Sequence, residues 1–138
     1  MSSMGFQTIE PQESPIFEEQ VVEALGGRPS LAFECAGNGP ALNGAIRAVA
    51  RGGTVIVVGV YEDPPKTDMV LVQDKELALV GSLMYAWDDY YRAVEVIADR
   101  TIDVKALVTH HVPFDRWGEG YTLLRERPGE VLKVVVDV

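Results

Sequence analysis

Apolar and polar positions along this chain change rhythm from segment to segment. Two short apolar runs, Leu31–Cys35 and Thr54–Gly59, flank a stretch, Pro40–Ala50, in which Leu42, Ile46 and Val49 recur at helical spacing. Arg47 and Arg51 fall in or just past the last turn of that helix, where a cation suits the helix dipole, and Gly52-Gly53 ends it. The pattern is strand, helix, strand. Its second strand, Thr54-Val55-Ile56-Val57-Val58-Gly59, has no polar alternation, which predicts a position in the middle of a parallel sheet covered on both sides. The crossover should be right-handed.

On the N-terminal side, a short strand is predicted over Phe6–Glu10, ended by Pro11. Ser14 has the chemistry of a helix N-cap, with Pro15 at the first helical position and Glu18 and Glu19 in the first turn. Phe17, Val21 and Leu25 share a face of this helix, and Gly26-Gly27 stops it. After the loop Tyr61–Thr67, with its Pro64-Pro65, the pattern predicts strands at Met69–Val72 and Leu77–Gly81, separated by Asp74-Lys75-Glu76. A helix follows from Asp88 to about Arg100, with Asp88-Asp89 as cap and first turn and Tyr91, Val94, Ile97 and Ala98 along its buried face. The tail repeats the alternation: a strand at Leu107–Val112, a helix N-capped by Asp115, and a final strand Leu132–Val136. Trp117, Tyr121 and Leu124 lie at helical spacing and read as packing residues. The expected class is α/β, a single domain over residues 1–138 built on a doubly wound parallel sheet with helices on both faces.

Composition narrows the possible functions. The 138 residues carry 12 basic and 21 acidic side chains, a formal charge of −9, with no Lys/Arg cluster, which argues against a nucleic-acid partner. A chain of this size supports one core without staples. The longest apolar run, Thr54–Val60, is far short of a membrane span, and Met1-Ser2-Ser3-Met4 lacks a basic and apolar signal, so a soluble, cytoplasmic protein is expected. Cys35 is the single cysteine, which excludes an internal disulfide and any cysteine-based zinc cluster.

Candidate chemistry gathers where parallel strands end, because ligands bind beyond the carboxyl ends of such sheets. Three ends are visible: Glu34-Cys35-Ala36-Gly37-Asn38-Gly39, Val58-Gly59-Val60 and Gly81-Ser82-Leu83-Met84-Tyr85. Their small residues would let a flat ligand approach the backbone, whose amides and carbonyls could grip a carboxamide. Tight strand-to-helix turns explain the same glycines equally well. Neither a Gly-x-Gly-x-x-Gly turn nor a Gly-x-x-x-x-Gly-Lys loop occurs, so no pyrophosphate cradle is expected. His110 and His111 are adjacent on a predicted strand and point to opposite faces, so they cannot share a metal. Ser82 has no evident histidine partner, and Cys35 reads as a small buried hydrophobe. No catalytic or metal-ligating residue is expected.

These segments together resemble the medium-chain, zinc-type alcohol and polyol dehydrogenases, with the flavour of sorbitol, threonine and butanediol dehydrogenases. The resemblance rests on Leu31-Ala32-Phe33-Glu34-Cys35-Ala36-Gly37-Asn38, Ala50-Arg51-Gly52-Gly53-Thr54 through Val60, and Glu76 through Ser82. It continues through Leu107-Val108-Thr109-His110, Val112-Pro113-Phe114-Asp115, Gly118-Glu119-Gly120-Tyr121 and Gly129 through Val136. It covers the C-terminal part of those enzymes. It implies a partial Rossmann-like sheet, strands 4, 5 and 6 with a possible strand 3, over about residues 5–100. Residues from about 101 to 138 would form a return segment that packs with the family's catalytic domain. The implied cofactor is NAD or NADP, with Cys35, Ala36 and Gly37 on the nicotinamide side and the backbone of Gly59-Val60 and of Ser82, Leu83 and Met84 at the ring and carboxamide. Asn38 and Lys133 stand where the family places polar or basic groups toward the cofactor. The family's zinc ligands and pyrophosphate turn have no counterpart here, so the chain alone is not expected to turn over, because nothing in it stabilises an alkoxide.

In the strand order 3-2-1-4-5-6, strand 1 lies beside strand 4, so with strands 1 and 2 absent Leu31–Cys35 is expected to present an open apolar edge, and Met69–Val72 resembles the family's dimer-forming edge strand. A homo-oligomer, a swapped dimer or a complementing N-terminal half is the expected partner. Two other readings stand beside the dehydrogenase portion: a non-catalytic α/β interaction module, and one half of a split dehydrogenase.

Overall fold

The computed structural model describes residues 7–9, 16–127 and 129–138. Ser14, Pro15 and the two ends of the candidate strand, Phe6 and Glu10, lie outside these, and residues 7–9 carry no regular element. The chain divides into two compact units, one ending at Met84 and one beginning at Tyr85.

The first unit contains α1 (Ile16–Leu25), β1 (Leu31–Glu34), α2 (Gly39–Ala48), β2 (Thr54–Val57), α3 (Met69–Asp74) and β3 (Ala78–Gly81). The three strands form a parallel sheet in the order β1-β2-β3, with Leu31 opposite Thr54 and Thr54 opposite Ala78. The unalternating strand β2 is central, as its composition requires. Leu42, Ile46 and Val49 of the helical stripe are buried against Val55 of β2 and Val72 of α3. Ile46, Val49 and Val55 are fully enclosed and make this the core of the unit.

Helix ends are satisfied in ways the sequence states only partly. Helix α1 stops at Gly26, whose φ of +70° admits the left-handed turn, with Gly27 N–H donating to Val22 O (2.9 Å) and Gly26 N–H to Glu23 O (3.2 Å). Its predicted inner face is shorter than expected, since Leu25 is exposed. Glu18 is buried instead and pairs with the Nε of Arg47. The last carbonyls of α2 are taken by cations: Arg28 donates to Arg47 O (2.6 Å), and the Lys75 ammonium donates to Ile46 O (2.8 Å) and Arg47 O (3.0 Å). Burial and the neighbouring Arg28 and Arg51 push the Lys75 ammonium below its ordinary range.

Met69–Val72 is helical, not the predicted strand. Asp68 caps it, its carboxylate accepting from Leu71 N–H at 3.0 Å, and the run is too short for periodicity to separate helix from strand. The family-like edge strand expected there is therefore absent, whereas β1 does lie at an edge of the three-stranded sheet.

The second unit holds α4 (Trp87–Ala98), β4 (His110–Pro113), α5 (Gly118–Glu126) and β5 (Val134–Asp137), with 3-10 turns at Val104–Leu107 and Phe114–Arg116. β4 and β5 pair in parallel, His110 opposite Val134. Gly120 of α5 rests on this pair, where a Cβ would meet Val134 Cγ1 at 3.2 Å. Three expectations change. The strand predicted from Leu107 begins at His110, because the Asp103 carboxylate accepts from Lys105 N–H (3.1 Å) and winds Val104–Leu107 into a turn. Asp115 lies inside a 3-10 turn and does not cap α5, whose N-cap is Trp117. Tyr91, Val94 and Ile97 are exposed, as are Trp117, Tyr121 and Leu124. Asp89 does act in the first turn of α4, accepting from Ala86 N–H at 2.7 Å.

Candidate functional site

Parallel register brings the three predicted strand ends to one level: Glu34 is opposite Val57, and Val57 is opposite Gly81. The amides just beyond are partly committed. Val58 and Gly59 both donate to Glu34 O (2.8 and 2.9 Å), and Ser82 donates to Val57 O (2.9 Å). The amides of Val60, Leu83 and Met84 have no backbone partner among the described residues. Val60, Leu83 and Met84 are also largely exposed, and Met84 adopts a φ of +62°, a left-handed conformation that costs free energy in a residue with a side chain.

The glycines at this level serve two different purposes. At Gly37, φ +68°, and at Gly59 the side-chain space is filled by neighbouring chain: a Cβ on Gly37 would lie 2.3 Å from Val60 O, and one on Gly59 would lie 2.3 Å from Gly37 N. For this pair the tight-turn reading holds, because chain and not ligand occupies the room. Gly81 is the opposite case, with nothing within 4 Å of an added Cβ.

A cleft of about 470 Å³ opens beside the first two ends, lined by Ala36, Gly37, Asn38 and Gly39 on one side and by Val60, Tyr61 and Glu62–Pro65 on the other. Glu62 and Asp63 make its far wall acidic, and no lysine or arginine lines it. Asn38 is turned to structure: its Oδ1 accepts from Ala41 N–H at 2.9 Å and caps α2. Cys35 is a free, exposed thiol, not the buried hydrophobe expected. Lys133 belongs to the second unit, where its carbonyl accepts from Thr109 N–H (3.0 Å), Thr109 Oγ1 (3.1 Å) and His110 N–H (3.2 Å). His110 and His111 diverge as predicted, His110 toward Thr109 Oγ1 (3.0 Å) and His111 toward Asp137 Oδ1 (2.9 Å).

Two polar residues at this level were not singled out from sequence. Glu34 is only 2% exposed, yet its carboxylate is fully engaged: Oε1 accepts from Ala36 N–H and Gly37 N–H, both at 2.8 Å, and Oε2 accepts from the Tyr61 hydroxyl at 2.6 Å. Burial, followed by the hydrogen bond and the negative charge of Glu34, pushes the Tyr61 phenol up to about 12. The available signal was a carboxylate closing an otherwise apolar strand, since such a group is buried only where donors converge on it. Among the described residues no group of three or more His, Cys, Asp or Glu side chains is placed to hold a metal ion. No helix among them is long and apolar enough to cross a membrane.

A parallel α/β sheet whose strand ends and adjoining cleft share one edge defines a Rossmann-like nucleotide-fold unit. Residues 2–99 match the family described as zinc-binding dehydrogenase, and the chain belongs to that family. Sorbitol dehydrogenase 1 of Saccharomyces cerevisiae is 29% identical over 136 residues, covering 98% of this chain and 37% of that enzyme. D-xylulose reductase of Scheffersomyces stipitis is 32% identical over 128 residues, covering 86% and 35%. Among solved structures, 2R,3R-butanediol dehydrogenase from Bacillus subtilis superposes with a TM-score of 0.80 at 23% identity, over 94% of this chain and 37% of that one. A short chain alcohol dehydrogenase from Escherichia coli, complexed with its cofactor NADH, gives 0.78 at 17% identity, over 94% and 38%. The chain thus spans about a third of the length of the curated relatives it matches.

Proposed function

We propose that the strand-end level of the first unit is the nicotinamide-side portion of an NAD(P) site in an alcohol or polyol dehydrogenase. The observation that carries this reading is the open position of Gly81 at the strand end, in register with Val57 and followed by the exposed Leu83 and Met84. The uncommitted amides of Val60, Leu83 and Met84 are suited to a carboxamide, which presents both a carbonyl acceptor and an amide donor. The acidic wall at Glu62 and Asp63 disfavours a diphosphate and leaves the ring end of the cofactor as the part this level would receive. Cys35, Ala36, Gly37 and Asn38 would border the ring from the β1 side, chiefly through backbone. When bound, the nicotinamide supplies hydride transfer; the chain's own residues bind and orient it. Reduction of a ketose or oxidation of a polyol is the reaction class that the names of the relatives suggest.

The test uses the purified chain titrated with NADH and followed by nicotinamide fluorescence. Saturable enhancement is expected, and none up to millimolar cofactor overturns the reading. Gly81→Ala sharpens it, because the added Cβ has nothing within 4 Å in the free protein. Its thermal midpoint should stay near that of the parent while NADH affinity falls at least tenfold. The position of β1 at the edge of the sheet among the described residues also makes it the proposed pairing edge for a second copy or a complementing chain.

A further inference from the structure

The loop between β2 and α3 forms the far wall of the cleft and is fastened at both ends. At its far end Asn43 of α2 donates through Nδ2 to Lys66 O (2.8 Å) and accepts through Oδ1 from Asp68 N–H (2.9 Å). At its near end the tie is Tyr61 to Glu34 (2.6 Å), and the same Glu34 carboxylate holds the amides of Ala36 and Gly37 on the opposite wall. Glu34 therefore joins the two walls through one buried group. A buried carboxylate is costly unless fully hydrogen-bonded, and three donors meet that need here. Gly59 completes the arrangement, since a Cβ there would lie 2.6 Å from Glu34 Oε2.

We infer that Glu34 and Tyr61 are positioning residues: their clasp sets the width of the cleft and the placement of the Val60 backbone, and so the fit of the nicotinamide end of the cofactor. The inference rests on the cofactor reading given above. Loss of the phenol hydroxyl frees Glu62–Pro65 at one end only, so the wall should loosen while the core stays intact. Gln in place of Glu34 keeps the geometry, because its carbonyl oxygen accepts from both amides and its amide nitrogen donates to the phenol oxygen. Ala keeps none of it.

The experiment compares the parent chain with Tyr61→Phe, Glu34→Gln and Glu34→Ala in three measurements. Amide hydrogen exchange of residues 58–66 without ligand should quicken at least tenfold in Tyr61→Phe and Glu34→Ala and stay near the parent in Glu34→Gln. Ultraviolet titration of tyrosine ionisation should show one group near 12 in the parent and a lower value for it in Glu34→Gln, still above the ordinary phenol range, because the carboxylate is gone while burial, the largest cause, stays. NADH affinity should fall about fivefold or more in Tyr61→Phe and return in Glu34→Gln. Unchanged exchange in Tyr61→Phe overturns the clasp whether or not the chain binds NADH. Faster exchange with unchanged NADH affinity overturns the positioning role and leaves a purely structural tie. A parent chain that shows the exchange pattern but no NADH binding overturns the cofactor reading, and the positioning role with it, leaving only the clasp. Should Glu34→Ala fail to fold, Tyr61→Phe alone still decides.

Discussion

The two units of this chain use similar elements and bury them very differently. The first encloses Ile46, Val49 and Val55 completely between a helix and a three-stranded sheet. The second has a two-stranded sheet, in which Val112 is buried, while α4 buries no residue. Two strands are marginal alone, and a third with one covered face is the usual threshold of independent stability. The lesson is that helical and strand periodicity specify local structure in both units, but only the first converts that periodicity into a closed core.

The sharpest way to break this comparison is in the core. Ile46→Ala should destabilise the first unit by about 2–5 kcal/mol, whereas Val94→Ala on α4, already 65% exposed, should change stability by less than about 0.5 kcal/mol. Both tryptophans, Trp87 and Trp117, lie in the second unit, so their fluorescence reports on that unit while far-ultraviolet dichroism reports on both. In urea the fluorescence transition should precede the dichroism transition; coincident curves would mean that the units unfold as one.

Glycine substitutions give the next largest contrast. Gly59→Ala drives a methyl into the Gly37 backbone and should cost about 1–3 kcal/mol. Gly118→Ala, in α5 with open space around it, should instead stabilise by up to about 1 kcal/mol through helix propensity. Thermal melts of the two variants should move in opposite directions.

Ion pairs provide the smallest contrast. Arg47→Ala leaves the Glu18 carboxylate buried without its partner and should cost about 1–3 kcal/mol. The Arg116–Glu119 pair in the second unit is solvent-exposed and screened. The hydrogen bond from Arg116 still holds the Glu119 carboxyl below its usual 4.5. Its contribution is thus present above 4.5 and lost as pH falls through the lower folded value. Helical dichroism of the Glu119→Gln variant should lack that acid-side step.

Much of the first unit was legible because its signals are local. The Leu42, Ile46, Val49 stripe, the Gly26 stop and the unalternating β2 each say what they form within a few residues. Met69–Val72 misled because four apolar residues fit either period, and the deciding signal was the cap at Asp68 one residue earlier. At the strand ends, glycine composition identifies the level but does not separate Gly37 and Gly59, whose side-chain space is taken by backbone, from Gly81, whose space is open. The Glu34–Tyr61 tie spans 27 positions of sequence, and no local pattern encodes a contact at that separation. In α4 the face expected to be buried is exposed, because periodicity says which residues share a face and not what covers it.

The meeting of Gly37 and Gly59 also acts as a check on strand alignment. Alternation normally forbids a slipped register by turning the apolar face outward, yet β2 is apolar on both faces and gives that safeguard little to act on. A shift of β2 by one residue against β1 would bring Val58 or Val60 to the place where even one added carbon meets backbone at 2.3 Å. Steric exclusion by two absent side chains thus proofreads a strand pairing that hydrophobicity alone leaves ambiguous.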